Sequence, residues 1–178
     1  MNTQALSGGD HETHGRTPPV HVFRGQFRGV AANIKVTSVV GQVFSTDFPS
    51  SYQNWDKVDP GTLFDAPVER VAEKKGIVHL LQNEGKGCEY LVLWLDCDKE
   101  GENTCFEVIS CVMPEALKRK ELRTPGPDQR VFRAKFSAIT PSDIQKAMGC
   151  LGSPNENESL SVEARQVHIY LWDPNQYV

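Results

Sequence analysis

The sequence predicts an α/β domain built round a parallel sheet flanked by helices, and three observations predict it. Residues 90–95 read Tyr-Leu-Val-Leu-Trp-Leu, a continuous apolar run of the kind that forms a strand buried on both faces. Acids follow at once, and behind them Phe106, Ile109, Val112 and Met113 recur at helical spacing, with Pro114 marking the end. Residues 131–136 read as a further strand. Thr140-Pro141-Ser142-Asp143 then reads as a helix start, with Thr as N-cap, Pro at the first helical position and Asp three residues after the cap. Strand, acidic turn, helix, strand, helix is the order of a Rossmann-like parallel sheet, whose ligands sit beyond the carboxyl ends of the strands.

The other elements are placed in chain order. Residues 1–19 are polar, contain His11, His14 and the Pro18-Pro19 pair, and are expected to be a disordered leader. Histidines in such a tail are more often free than metal-bound. Residues 20–23 and 33–40 read as two strands separated by a Gly-containing stretch. Residues 46–67 hold Pro49, Pro60, Gly61 and Pro67 with Tyr52, Trp55 and Phe64 between them, a loop-rich layer anchored by aromatics. Residues 68–83 are expected to be helical, interrupted by Gly76, and 119–129 to be a charged loop. The second helix should end at Cys150 or Leu151, with Gly152 just past it.

Composition bounds the function. The chain of 178 residues suits one domain, and 39% hydrophobic residues suffice for a core. A net charge of -4 argues against a chain that grips DNA unaided, since such binders carry a basic patch. Cys88, Cys97, Cys105, Cys111 and Cys150 show no C-x-x-C spacing, so neither a zinc site nor a disulfide framework is readable; reduced, mostly buried thiols are expected. No hydrophobic run is long enough to cross a membrane and no signal peptide is read.

The chemistry concentrates in Asp96-Cys97-Asp98-Lys99-Glu100-Gly101-Glu102. Side chains two apart on an extended segment share a side, so Asp96 and Asp98 should aim at one point, with Glu100 within reach of it. Gly101 should allow a tight turn, and Glu102 should favour the positive end of the helix dipole. Crowded carboxylates are relieved by a divalent cation, and magnesium takes one or two carboxylates plus water and phosphate. Acids at a helix start are often only a cap and a solvated face. D-x-D-x-E-G-E directly behind a buried strand favours the metal.

This motif resembles the D-x-D-x-E-G-E signature of TOPRIM domains in type IA DNA topoisomerases. The flanking segments are similar to the topoisomerase III beta branch of that family: Thr37-Ser38-Val39 with Gly41, Asn54 to Pro60, Gly87-Cys88-Glu89-Tyr90, Phe106-Glu107-Val108, Val131-Phe132-Arg133-Ala134, Ile139-Thr140, and Ser161-Val162 with Ala164-Arg165-Gln166. The resemblance implies a TOPRIM domain over residues 20–166 and a divergent tail over 167–178. It implies a transient single-strand break by tyrosine transesterification, strand passage and religation. Asp96, Asp98 and Glu100 would hold Mg2+ as catalytic and metal residues, and Lys99, Arg133 and Arg165 would approach nucleic acid. The substrate implied is single-stranded DNA, with RNA left open. A tudor-domain partner and a nuclear location, with the cytoplasm left open, follow from the family, and no membrane role does.

Departures from the family pattern shape the expected activity. The family opens with a strand bearing a V-A-E-K-P-S-like motif, and nothing in residues 1–19 resembles it, so that strand and its glutamate are expected to be missing. Val71-Ala72-Glu73-Lys74 copies four of its letters and is read as a chance match in a charged helix. Gln42 stands where the family has a histidine after Gly41. Tyr170 and Tyr177 lie in the tail without a family context for a nucleophile; Tyr170 is read as packing and Tyr177 as a frayed end. Residues 167–172 are β-rich and could fill the place of the missing strand or leave a sticky edge. The expectation is a topoisomerase fragment that supplies the metal site but does not act alone. The alternative is a catalytically inactive nucleic-acid or partner-binding module. A primase-like or nuclease chemistry is disfavoured by the length of the topoisomerase-like match.

Overall fold

A computed structural model describes residues 4–7, 11–15, 18–52, 54, 58–112 and 129–172, and of residues 4, 5, 60 and 167–172 the backbone alone. The parallel pairing sits where the apolar runs placed it. Strand β6 (Leu91–Leu93) pairs in parallel with β7 (Val131–Arg133), Leu91 opposite Val131 and Leu93 opposite Arg133. Helix α3 (Lys99–Val112) crosses between them, as the strand–helix–strand reading requires. Among the described residues no strand occupies the other edge of β6. Helix α2 (Lys75–Glu84) packs on the same core: Leu81, Leu93, Cys105, Val108, Ile109, Cys111 and Val131 form one buried cluster with Val43. Each fully buried aliphatic side chain there contributes roughly 1.5–3 kcal/mol.

Helix α4 (Pro141–Gly149) starts as predicted, the Thr140 hydroxyl accepting from the Asp143 amide at 3.2 Å; it ends at Gly149, just short of the expected stop. Residues 20–40 differ in extent from the expectation. Strands β2 (Val20–Phe27) and β3 (Val30–Val36) absorb the Gly-containing stretch into a hairpin closed by Arg28-Gly29. Both turn residues have positive φ, 53° and 80°, the twist a two-residue hairpin loop needs.

Five expectations are corrected. Glu12–His14, within the supposed disordered leader, pairs with β2 as strand β1, and a short helix α1 (Gln4–Ser7) precedes it. The loop-rich layer contains β4 (Phe44–Asp47) and 3-10 turns at Ser50–Tyr52 and Pro60–Asp65. The expected helix over 68–83 is β5 (Glu69–Ala72), antiparallel to β4, followed by α2; Gly76 lies in the first turn of α2 and does not break it. Glu73 is accordingly in a bend after β5, exposed as expected but not helical. The tail does not form a strand: α5 (Glu156–Trp172) runs through residues 167–172, carrying the backbone of Tyr170. Three of the five cysteines, Cys88, Cys97 and Cys150, are exposed; Cys105 and Cys111 are buried and all five are free. Trp55, the helix stop at Pro114, the charged loop as far as residue 128, and Tyr177 lie outside the described residues. No described helix is long and apolar enough to cross a membrane.

Candidate metal and nucleic-acid site

The acidic motif lies at the carboxyl end of β6, where the chain leaves the sheet and turns into α3. Asp98 is the N-cap of that helix. Its Oδ1 accepts from the Gly101 amide at 2.7 Å, and its carbonyl accepts from the Glu102 amide at 3.0 Å. A cap of this kind satisfies an otherwise orphaned helix donor. Asp96 is exposed, and no described residue engages its carboxylate. Glu100 is half-buried and accepts from Gln42 Nε2 at 3.5 Å and from the Arg165 guanidinium of α5. Gln42 therefore faces the acidic motif. Lys99 is exposed at the first position of α3.

Gly101 does not serve as a turn glycine. It is buried within the first helical turn, and a Cβ there would overlap the carbonyl oxygen of Asp96. The motif's glycine lets α3 begin directly against the backbone of the strand exit.

Two residues depart from their expected roles. Glu102 lies in the first helical turn, as its position in the motif predicts, but with only 1% exposure. Arg133, expected to approach nucleic acid, is fully buried. Its Nε donates to Glu102 Oε1 at 2.9 Å; its Nη atoms donate to the carbonyls of Leu95 at 2.8 Å, Ala134 at 2.9 Å and Asp96 at 2.5 Å. Glu102 Oε2 accepts from the Asn155 amide at 2.8 Å. The guanidinium faces inward, engaged on all sides, and has no path to a phosphate. The signal for this pair was in the sequence: a lone arginine within an apolar strand needs a buried acid. Arg165, by contrast, is exposed.

A second buried carboxylate went unnoticed in sequence. Glu107 accepts from the Val43 amide at 2.8 Å and, more weakly, from Asn103 at 3.5 Å, tying the segment after Gln42 to α3. Burial pushes its pKa above the ordinary carboxylate value, against the lowering effect of the Val43 and Phe44 amides. Cys105 is likewise pushed up, to about 12, by burial, which leaves it a packing thiol. Ser38 is exposed in the loop after β3.

Among the described residues, no group of three His, Cys, Asp or Glu side chains gathers closely enough to hold a metal by itself. The arrangement is instead an open one, with oxygen donors at a strand exit.

A Toprim domain model matches residues 21–139, two thirds of the chain, and the chain belongs to the Toprim family. Within it the likeness is to DNA topoisomerase 3-beta. The chain is 52% identical to DNA topoisomerase 3-beta-1 of Homo sapiens over 150 residues, 83% of this chain and 17% of that protein. It is 48% identical to DNA topoisomerase 3-beta of Arabidopsis thaliana over 163 residues, 90% of this chain and 18% of that protein. To DNA topoisomerase 3-alpha of Drosophila melanogaster the identity is 38% over 145 residues, 80% of this chain and 11% of that protein. The chain thus spans less than a fifth of the length of these relatives.

Proposed function

We propose that this chain supplies the magnesium-binding part of a type IA topoisomerase site, with Asp96 and Asp98 as the principal ligands and Glu100 as a third donor. The observation that supports it best is the exposed Asp96 carboxylate beside the capping Asp98, at the exit of a buried parallel strand. The donor set fits the ion. Magnesium is a hard cation that keeps several waters and takes one or two carboxylates plus substrate phosphate, so it does not need a closed protein cage. When bound, the ion would neutralise a phosphodiester of single-stranded DNA and orient it. Glu100 reaches the metal once it exchanges its partners Gln42 and Arg165, and Arg165 and Lys99 are then the cations at the rim for phosphate. RNA offers the same phosphate chemistry to this rim.

Within the 178 residues, the reaction lacks a tyrosine set in the family's context, and Gln42 cannot carry the charge of a histidine. The polypeptide is therefore assigned metal and phosphate binding, with no strand passage of its own. Calorimetric titration with Mg2+ tests the assignment. The wild type is expected to bind weakly, and the Asp96→Asn/Asp98→Asn double variant to lose binding while unfolding like the wild type. Unchanged affinity in the double variant would remove the site. Relaxation of supercoiled DNA by the polypeptide, lost on Tyr170→Phe, would make the tail catalytic and overturn the assignment of roles.

A further inference from the structure

We infer that Arg133 and Glu102 form a positioning pair that fixes the direction of Asp96 and Asp98, an inference that rests on the magnesium reading above. The pair connects four parts of the chain. Arg133 belongs to β7 and Glu102 to the first turn of α3. The guanidinium grips the β6 exit through the carbonyls of Leu95 and Asp96, and Glu102 takes the Asn155 amide just ahead of α5. Both side chains are dry, 0% and 2% exposed.

Besides Glu102, the grip is on the backbone of the motif and leaves the carboxylates of Asp96 and Asp98 alone. Donation to the Asp96 carbonyl holds the peptide plane between Asp96 and Cys97. Gly101 packs directly against that carbonyl, where a Cβ would overlap its oxygen. Cys97 is anchored in turn to Phe136, its thiol donating to the carbonyl at 3.1 Å and accepting from the amide at 3.3 Å. With the Asp96–Cys97 peptide plane held, the Cys97 side chain tied to Phe136 and the Asp98 carbonyl engaged by the Glu102 amide, the Cα–Cβ directions of Asp96 and Asp98 are set before any metal arrives. Magnesium demands near-ideal octahedral geometry, so this aim governs affinity.

An apolar pair of equal volume would fill the same space at no less stability. What the guanidinium adds is direction: a planar fork with five N–H donors reaches several carbonyls at once. A lysine offers three donors from one point and cannot span them.

The experiment is Mn2+ binding by electron paramagnetic resonance on the 178-residue protein, with thermal unfolding recorded in parallel. Partners that orient metal ligands typically change affinity by about 10–100-fold. Arg133→Lys is expected to weaken Mn2+ binding by that order while a folded population persists. A folded Arg133→Lys with wild-type affinity overturns the positioning role and leaves the metal reading standing. Wild-type affinity in Asp96→Asn/Asp98→Asn sinks the metal reading and the positioning role with it. Should Arg133→Lys not fold, the wild type decides by NMR. The Arg133 Nε–Hε signal is expected to shift on Mg2+ titration with the same midpoint as the Asp96 and Asp98 amides, while the exposed Arg24 does not move. An Arg133 signal that stays still through that titration overturns the inference.

Discussion

Two arginine–glutamate pairs flank the acidic motif, and they are opposites. Arg133–Glu102 is sealed at 0% and 2% exposure; Arg165–Glu100 lies at the surface at 59% and 43%. Both link α3 to a neighbouring element, and both involve a glutamate of the same motif. Burial separates their roles. A sealed pair must satisfy its donors and acceptors inside the protein, and Arg133 does so by gripping the backbone at the strand exit. An exposed pair exchanges with water and salt at little cost, which leaves Glu100 and Arg165 available for new partners. One pair therefore holds the site and the other can open it.

The largest expected effect comes from breaking the sealed pair. Arg133→Ala leaves Glu102 as an uncompensated buried charge and should lower stability by about 3–5 kcal/mol, measured by urea unfolding. A loss under 1 kcal/mol would show that water reaches Glu102. Gly101→Ala attacks the same corner from the helix side. Its methyl group would overlap the Asp96 carbonyl, and overpacking of this kind costs about 1–3 kcal/mol. A neutral result would mean that α3 can slide away from the strand exit.

Glu107 sharpens the comparison, because it is a buried carboxylate with amide partners and no cationic one in hydrogen-bonding contact. Burial raises its pKa, so the folded state favours its protonated form. Its contribution to stability is present below the ordinary glutamate pKa and is lost as pH rises through the folded value. Glu107→Gln should therefore gain on the wild type in melting temperature as pH is raised from acid to neutral. A difference that shrinks with rising pH would show that the Val43 and Phe44 amides outweigh burial. The smallest effect belongs to Arg165→Ala, about 0–1 kcal/mol and less in high salt. A larger loss would place this pair with the buried one.

How much of this was legible in sequence follows the same division. The β6 run, the start of α3 and the Thr140 cap were readable because local pattern and tertiary environment agree there. Strand β5 was not, because Glu69–Ala72 owes its conformation to backbone pairing with β4, and its charged residues mimic a helix face. The tail misled in the opposite way: β-branched and aromatic residues in 167–172 continue a helix begun at Glu156. The overlooked signal was Asn155, whose Oδ1 accepts from the Asn157 and Glu158 amides while its Nδ2 donates to the Glu158 side chain. That is an asparagine N-cap, steadied through its side chain by Glu158. Of the site, the residue types and the motif could be read. An arginine within an apolar strand signals that a buried acid must meet it, but which acid could not be read, because the partner lies 31 residues away in the first turn of α3.

Everything above turns on Asp96 and Asp98 holding the metal. Paramagnetic broadening by Mn2+ in a backbone amide spectrum tests it most directly. Substoichiometric Mn2+ is expected to erase the amide signals of Asp96, Cys97, Asp98 and Gly101 first, and excess Mg2+ to restore them. Signals lost first around His11, His14 and His21, with the motif untouched, would contradict it.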